Sequence, residues 1–374
     1  MLSRQISYML ILSLCFMFIF SVPRASSKVD LKDDSIAVIM DIDADPSDFP
    51  ALLYLLKHPG IDVQAVTVSP GISYIEEGVN NLLRLLDYMG FPDIQAAGGS
   101  DLPLETDNAF PTPWRDGSYN FYGVDIPETD LQPSSLNASQ LIISMLKKQP
   151  MTLVMTGPLT NLARALKSDP SISENITKLY SMGGAVTVDG NVGYESDIPN
   201  FAAEWNYYVD PHAADIVFSS DIPIVLVPLD ATNDVPQTQA FENRQTAISQ
   251  TKASDLALQM YITDLYFWDQ LTTVVLTNPE VVMFESHHID IVVSQVDHEG
   301  QTVSNSYLPA NAEVAISADA VKFEDLYLGT INDGVISLES PTISEETPGF
   351  GFITFILGLL TVISRTHRIK DVPK

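Results

Sequence analysis

The sequence predicts an α/β protein built on one open, mostly parallel sheet with helices on both faces. Three observations predict it. Between about Ser35 and Leu338 strand-like and helix-like segments alternate, the order that yields a parallel sheet covered on both sides. The first apolar run, Ile36 to Met40, ends in Asp41, Asp43, Asp45 and Asp48, and Pro46 then introduces an apolar, helix-like run, Phe49 to Leu56. That is a buried strand, a carboxylate-loaded turn and a helix. Finally, 374 residues at 45% hydrophobic content, with no internal repeat, allow one large α/β domain or two smaller ones, with ample material for a core.

The elements follow in order. Residues 1–27 read as an export signal: Arg4 flanks an apolar run from Tyr8 to Val22, and Ala25, Ser26 and Ser27 offer a cleavage site. The only cysteine, Cys15, lies inside that run, so a processed chain would carry no disulfide or thiolate metal site. After the first strand and helix, Asp62 to Ser69 reads as a strand. Ile75, Val79, Leu82, Leu83, Leu86 and Met89 have helical spacing, and Ile94 to Ala97 is a short strand. Ser100 to Pro133 is a long irregular stretch holding Trp114, Tyr119, Phe121 and Tyr122; loops of that length in a compact domain usually serve function. Ser139 to Lys148 is helical, Met151 to Met155 a strand and Leu159 to Leu166 a helix. Ile176 to Ser181 and Ile222 to Val227 are strands around a helix at Pro211 to Phe218, and Leu271 to Leu276 is an apolar helix. Phe284 to Val335 is more β-rich; His287, His288 and His298 there lack metal-ligand spacing and read as surface or core residues. Asn137-Ala-Ser139 and Asn175-Ile-Thr177 fit the glycosylation pattern.

The domain thus spans residues 28–338, followed by a polar linker at 339–348. An apolar segment at 349–364 and a basic tail at 365–374 come last, with Arg365, His367, Arg368 and Lys370. Such an ending reads as a membrane anchor with the domain outside, or as a sorting signal, although the apolar stretch is shorter than the ~20 residues of an ordinary span. The net charge of −29, from 48 acidic and 19 basic residues, repels phosphates and excludes a nucleic-acid polymer as partner.

In open α/β sheets ligands bind at the carboxyl ends of the strands. Carboxylates clustered there repel one another unless a cation or proton sits among them, and hard oxygen ligands suit Ca²⁺ or Mg²⁺. One Asp would be read as an acid complementing a helix dipole; Asp41, Asp43 and Asp48 together favour a cation site. Four further motifs stand where strand ends should be: Met155-Thr156-Gly157-Pro158-Leu159-Thr160-Asn161; Met182-Gly183-Gly184-Ala185 running to Gly190-Asn191-Val192; Ala203-Glu204-Trp205-Asn206; and Tyr266-Phe267-Trp268-Asp269.

In this order and spacing, over about Ile36 to Pro279, the set resembles the inosine–uridine-preferring nucleoside hydrolases, Rossmann-like enzymes that cut the N-glycosidic bond of nucleosides. The resemblance implies a Ca²⁺ held by Asp43, Asp48, Asp269 and the carbonyl of Thr156. It also implies that Asn191, Glu204 and Asn206 bind ribose hydroxyls, with a nucleoside as the partner; a homo-oligomer, dimer or tetramer, is compatible with it. The chemistry fits those residue types. The bond breaks through an oxocarbenium-like transition state, a bound cation acidifies a water, and Asp43 can take the proton as general base. Glu204 and Asn206, two positions apart, share a face only in an extended segment.

The chain departs from the family pattern at named positions. The opening motif, Asp-x-Asp-Pro-Gly-x-Asp-Asp, reads Asp41-Ile-Asp43-Ala-Asp45-Pro-Ser47-Asp48. Ser47 stands where an Asp is expected to hold a ribose hydroxyl, a change worth ~1–3 kcal/mol of binding. Ile72 replaces an Asn, and Trp268 replaces the His proposed as leaving-group acid in pyrimidine-favouring members. Trp268 instead matches the aromatic that stacks the base in purine-specific members, and Trp114 is a candidate for the opposite wall, with Tyr119, Phe121 and Tyr122 available as a lid. A protein that captures a nucleoside or sugar without turnover is the competing reading, motivated by Ser47 and Ile72. An Asp-x-Asp phosphatase is disfavoured, because Asp45 stands where Thr or Val is wanted and no later Lys and acidic pair is found.

Overall fold

The computed structural model describes residues 35–337. The expected signal, linker, apolar segment and basic tail lie outside the described residues.

An eight-stranded sheet runs in the order β3-β2-β1-β4-β5-β6-β10-β7. Its strands are β1 (Ile36–Ile42), β2 (Ile61–Val68), β3 (Gln95–Gly98), β4 (Met151–Met155), β5 (Ile176–Met182), β6 (Ile224–Val227), β7 (Val282–His287) and β10 (Ala312–Ala318). Every pair is parallel except β10 with β7. A separate antiparallel pair joins β8 (Ile289–Ile291) to β9 (Thr302–Ser304). β1 and β4 are neighbours with Asp41 opposite Met155. The order runs outward from them in both directions, so their carboxyl ends form the topological switch point where such sheets bind ligands.

Helices cover both faces, as the alternation predicted. One apolar cluster gathers Met40, Val66 and Val154 with α1 (Asp48–Lys57), α2 (Ile75–Met89), and the later helices α7 (Gln239–Ile248), α8 (Lys252–Gln259), α9 (Trp268–Thr277) and α10 (Ala320–Ile331). The opposite cluster sets Ile39, Leu153 and Leu226 against α3 (Ala138–Leu146), α4 (Thr160–Ser168) and α6 (Pro211–Phe218). Adjacent side chains of a strand point to opposite faces, so Ile39 and Met40 serve different cores, and β1 is apolar throughout its centre. α10 was hidden in the stretch expected to be β-rich. Phe323, Tyr327, Leu328 and Ile331 bury one face of it, and Asp319 caps it by accepting from the Lys322 amide at 3.0 Å. Among the described residues no helix is long and apolar enough to cross a membrane.

Within the long loop, Thr112–Arg115 is a turn of helix and Asp116–Gly123 a 3₁₀ stretch broken by Phe121 and Tyr122, both in the left-handed region. Two consecutive bulky residues there store strain that the surroundings must hold. Phe121 is fully buried against Phe49, with ring centroids 4.9 Å apart, so the core supplies that hold.

Candidate active site

A cavity of about 480 Å³ opens at the switch point, inside the size range of small-molecule sites. β1 ends at Ile42, so Asp43 projects from the strand tip, and α1 starts at Asp48. The turn between them is tied down by its own carboxylates. Asp48 Oδ2 accepts the amides of Asp43 (3.1 Å) and Asp45 (3.0 Å). Asp45 Oδ1 accepts the Ser47 amide (2.6 Å), the Ser47 hydroxyl (2.7 Å) and the Asp48 amide (2.9 Å). Asp43 Oδ2 accepts the Ile72 amide at 2.8 Å. Asp269, in the first turn of α9, receives the Ser47 hydroxyl, and Thr156 Oγ donates to Asp48.

Two glycines give this packing room. A Cβ at Gly71 would lie 2.1 Å from Asp43 Oδ2, and one at Gly157 would lie 2.8 Å from the Asp43 amide nitrogen and Cβ. No other residue type permits so close an approach.

Burial, reinforced by Asp48 and Asp45, raises the Asp43 carboxyl well above the usual range. Burial and the charges of Asp48 and Asp45 do the same to Asp269. Burial also raises Asp45, and it raises Asp48 to about 7 with help from the Asp45 charge. Among the described residues no Lys, Arg or His pairs with any of the four. Oxygens of Asp43, Asp45 and Asp48 all lie within 4.8 Å of one another. Two oxygens sharing one Ca²⁺ at about 2.4 Å can be at most about 4.8 Å apart, so this donor set fits a hard divalent cation.

The sugar-side candidates converge on the same cavity. Asn191, Glu204, Asn206, Thr156, Ser47, Trp114 and Trp268 all line it, together with Asp43 and Asp269. Asp48 does not line it; fully buried, it stands behind Asp43. Glu204 and Asn206 reach it without the continuous extended segment expected of them. Glu204 is the extended N-cap of a short helix, α5 (Trp205–Val209), and Asn206 is already inside it. The cap accounts for this: Glu204 accepts the amides of Asn206 (2.9 Å) and Tyr207 (3.3 Å), as well as that of Gly184 (2.9 Å). Burial lifts the Glu204 carboxyl to about 7. Asn206 Nδ2 donates to the carbonyl of Thr156 at 2.9 Å and fixes its direction. Among the described residues Asn191 Oδ1, a buried atom, has no partner.

The aromatic expectations divide. Trp268 lines the cavity, backed by Met182, Ala185 and Leu229, with its indole N–H unpartnered among the described residues. Trp114 lines it too, edge-on to Trp205 at 5.5 Å, and Trp205 stacks on Phe110 at 4.8 Å. Of the proposed lid only Tyr122 reaches the cavity, where its hydroxyl lies 2.8 Å from that of Ser73. Phe121 is core, and Tyr119 is exposed beside Tyr74. Several residues of the lining escaped sequence reasoning. Asp45 was counted in the acidic run but given no role. Glu195 accepts the Trp205 indole N–H at 2.8 Å, and its carboxyl is raised by burial. Gln237, Met260, Ile262 and Leu265 also line the cavity, from segments with no motif to mark them. The histidines of the β-rich stretch lie away from this cavity and pair locally, His287 with Ser304 and Glu285.

Comparison with known proteins bears on the family and the fold. The chain is 31% identical over 316 residues to the pyrimidine-specific ribonucleoside hydrolase RihA of Salmonella gallinarum, covering 78% of this chain and 97% of that protein. It is 32% identical over 317 residues to the protein of the same name from Shewanella sp. strain ANA-3, covering 79% and 95%. A purine-preferring ribonucleoside hydrolase from Gardnerella vaginalis superposes with a TM-score of 0.71 at 27% identity, over 79% of this chain and 98% of that one. The inosine-uridine preferring nucleoside hydrolase of Bacillus anthracis superposes with a TM-score of 0.72 at 25% identity, over 79% and 99%. The model of the inosine-uridine preferring nucleoside hydrolase family matches residues 38–325, from the first strand to the last helix, and the chain belongs to that family of enzymes that hydrolyse the N-glycosidic bond of ribonucleosides.

Proposed function

We propose that this enzyme is a Ca²⁺-dependent ribohydrolase that favours purine nucleosides and works outside the cytoplasm. The observation that carries the reading is the meeting, in one cavity at the switch point, of an unneutralised carboxylate cluster with polar sugar-side groups and a tryptophan-rich wall.

Asp43, Asp48, Asp269 and the Thr156 carbonyl would hold the ion. When bound, a divalent cation supplies an acidified water and a positive anchor for oxygen ligands. The Asp43 carboxylate, positioned by the Ile72 amide on Oδ2, would receive the proton of the attacking water. Glu204, immobilised by three amides, and Asn191 and Asn206 orient the sugar, and the Glu204 carboxylate favours the positive charge that grows on the ring as the bond breaks. Ser47 contributes little to the sugar, because its hydroxyl is engaged by Asp45 and Asp269. Trp268 and Trp114 supply flat apolar faces for the base. The large aromatic lining supports a purine, although curated relatives named as pyrimidine-specific share about a third of the residues. Export rests on the signal read at residues 1–27.

The test is a panel of inosine, guanosine, adenosine, uridine and cytidine assayed for free base, with and without chelator, on the wild-type and Asp43→Asn proteins. Purines should turn over fastest, chelator should abolish turnover, and Asp43→Asn should lose ~10²–10⁴-fold, the range for a general base. Undiminished turnover in the Asn protein would remove Asp43 from that role, and faster release of uracil or cytosine would reverse the base preference. Cell fractionation tests the location.

A further inference from the structure

We infer that Asp45 is a fourth carboxylate of the ion site, a ligand this chain has gained beside the motif position where it carries Ser47. The inference rests on the reading that the cluster holds a divalent cation. Position 45 is a glycine in the motif the opening run resembles, and position 47 an acid; here the acid is at 45 and a hydroxyl at 47.

Two features make Asp45 more than a helix cap. All three of its accepted hydrogen bonds fall on Oδ1, from the Ser47 amide, the Ser47 hydroxyl and the Asp48 amide. Oδ2 therefore has no protein donor among the described residues, while the residue lines the cavity. Its carboxylate also lies within ion-sharing distance of those of Asp43 and Asp48. Capping alone would be served as well by Asn or Ser, without adding a charge to a buried cluster that already lacks a counter-charge.

Ser47 completes the arrangement. Its single hydroxyl proton lies between Asp45 Oδ1 and Asp269 Oδ2, and so links the carboxylate of the β1–α1 turn to the one on α9. A side chain that in the motif pattern would face the substrate is thereby turned toward the ion's own ligands. The chain has moved one negative charge from the ligand side of the cavity to the ion side. Affinity of oxygen-ligand sites follows the number of charged ligands, so this enzyme should hold its ion more tightly than a chain with the motif glycine.

The experiment is Ca²⁺ titration by calorimetry, with Tb³⁺ luminescence sensitised by Trp268 as a second readout, on wild type, Asp45→Asn and Asp48→Asn. Asparagine keeps the Oδ1 cap and removes the charge. Asp45→Asn should raise the Kd for Ca²⁺ at least about tenfold, given the weight of ligand charge in such sites, while the melting temperature of the ion-free protein stays equal or rises. A Kd within twofold of wild type, with Asp48→Asn strongly weakened, would reduce Asp45 to a cap and overturn the inference while leaving the ion site intact. No ion binding by wild type would overturn the ion reading itself. Should the Asn protein not fold, Asp45→Gly, which restores the motif residue, is read by the same Kd criterion.

Discussion

The two ends of the cavity are built on opposite principles. At the acidic end the groups hang on strand tips or helix starts and most are bonded to backbone, Asp48 by two amides, Asp43 by one and Glu204 by three, while Asp269 is met by the Ser47 hydroxyl. At the aromatic end Phe110, Trp114 and Tyr122 come from the long loop, Glu195 from a four-residue helical turn, and Ile262 and Leu265 from the segment before α9. The first end is over-determined by main-chain hydrogen bonds; the second rests mainly on ring contacts, with the Tyr122–Ser73 and Trp205–Glu195 side-chain hydrogen bonds beside them. Positioned charge can do chemistry only where the backbone holds it, whereas a stacking wall tolerates adjustment. On the proposed reading, reaction type belongs to the acidic end and base preference to the aromatic end, and substitutions at the two should differ in kind as well as size.

The largest effect is expected at Asp48. Asp48→Ala leaves the Asp43 and Asp45 amides without their acceptor and Thr156 Oγ without its carboxylate. Free-base release should fall on the order of a thousandfold, as for a misplaced general base. Each buried group left unsatisfied should cost about 1–3 kcal/mol, read by denaturant titration in the presence of Ca²⁺. A drop in kcat of less than tenfold would show that the acidic end is not over-determined after all.

The next effect is on stability against pH. Asp41 and Glu204 are both raised by burial, to about 7, from ordinary values of 3.8 and 4.5. A carboxyl raised in the folded state holds its proton where the unfolded chain has lost it, so the folded state binds more protons between those values. Stability is then fullest below about pH 4 to 4.5 and falls as pH rises through about 7. The ion-free protein should lose several degrees of melting temperature between pH 5 and pH 8, and Ca²⁺ should flatten the slope by favouring the ionised cluster. A melting temperature that climbs over that range without ion would contradict the buried, uncompensated state of these acids. Trp114 and Tyr119 variants should follow the wild-type slope.

The same division explains what could be read from the chain. The acidic end was legible because it is local: Asp43 and Asp48 follow an apolar strand closely, and the Thr156, Glu204-Trp-Asn206 and Asp269 motifs each sit at a strand or helix end, where the backbone fixes direction; Asp41, read with them, instead lies inside β1 and is bonded to Thr67 and Asn161, away from the cavity. The sheet from β1 to β6 was legible for the same reason, those strands being apolar enough to mark themselves, whereas β7 and β10 were read only as part of a β-rich stretch. Asp45 was seen but not assigned, because its role depends on which oxygen the turn occupies, and no sequence pattern states that. The aromatic end was half legible. Four aromatics in one loop announced a wall, but which ones face the cavity is decided by the left-handed kink at Phe121 and Tyr122, which sends Phe121 into the core. Glu195 and Gln237 are isolated polar residues whose placement is wholly tertiary. α10 was missed because its apolar spacing was read together with the strands that precede it.

At the aromatic end the expected effects are smaller and selective. Trp268→Ala should raise KM for inosine and guanosine by about three- to tenfold, the worth of ~0.5–1.5 kcal/mol of ring stacking. Uridine should change less, because a single ring covers less of the indole. Equal losses for both base classes with kcat reduced would mean that the substitution had disturbed Asp269 next door, and Ca²⁺ affinity would show it.

The smallest effects separate lining from decoration within one loop. Trp114 touches Trp205 and Phe110 and faces the cavity, whereas Tyr119, 64% exposed, touches Tyr74 outside it. Trp114→Ala should raise KM a few-fold with kcat nearly unchanged, since it removes one ring from a wall that Trp205 and Phe110 still close. Tyr119→Ala should leave both kinetic constants alone and shift stability by less than about 0.5 kcal/mol, as surface changes do. A KM effect at Tyr119 equal to that at Trp114 would mean that the loop folds over bound substrate as a unit. The aromatic end would then be a moving lid rather than a standing wall, and its contrast with the backbone-held acids would be one of motion as well as bonding.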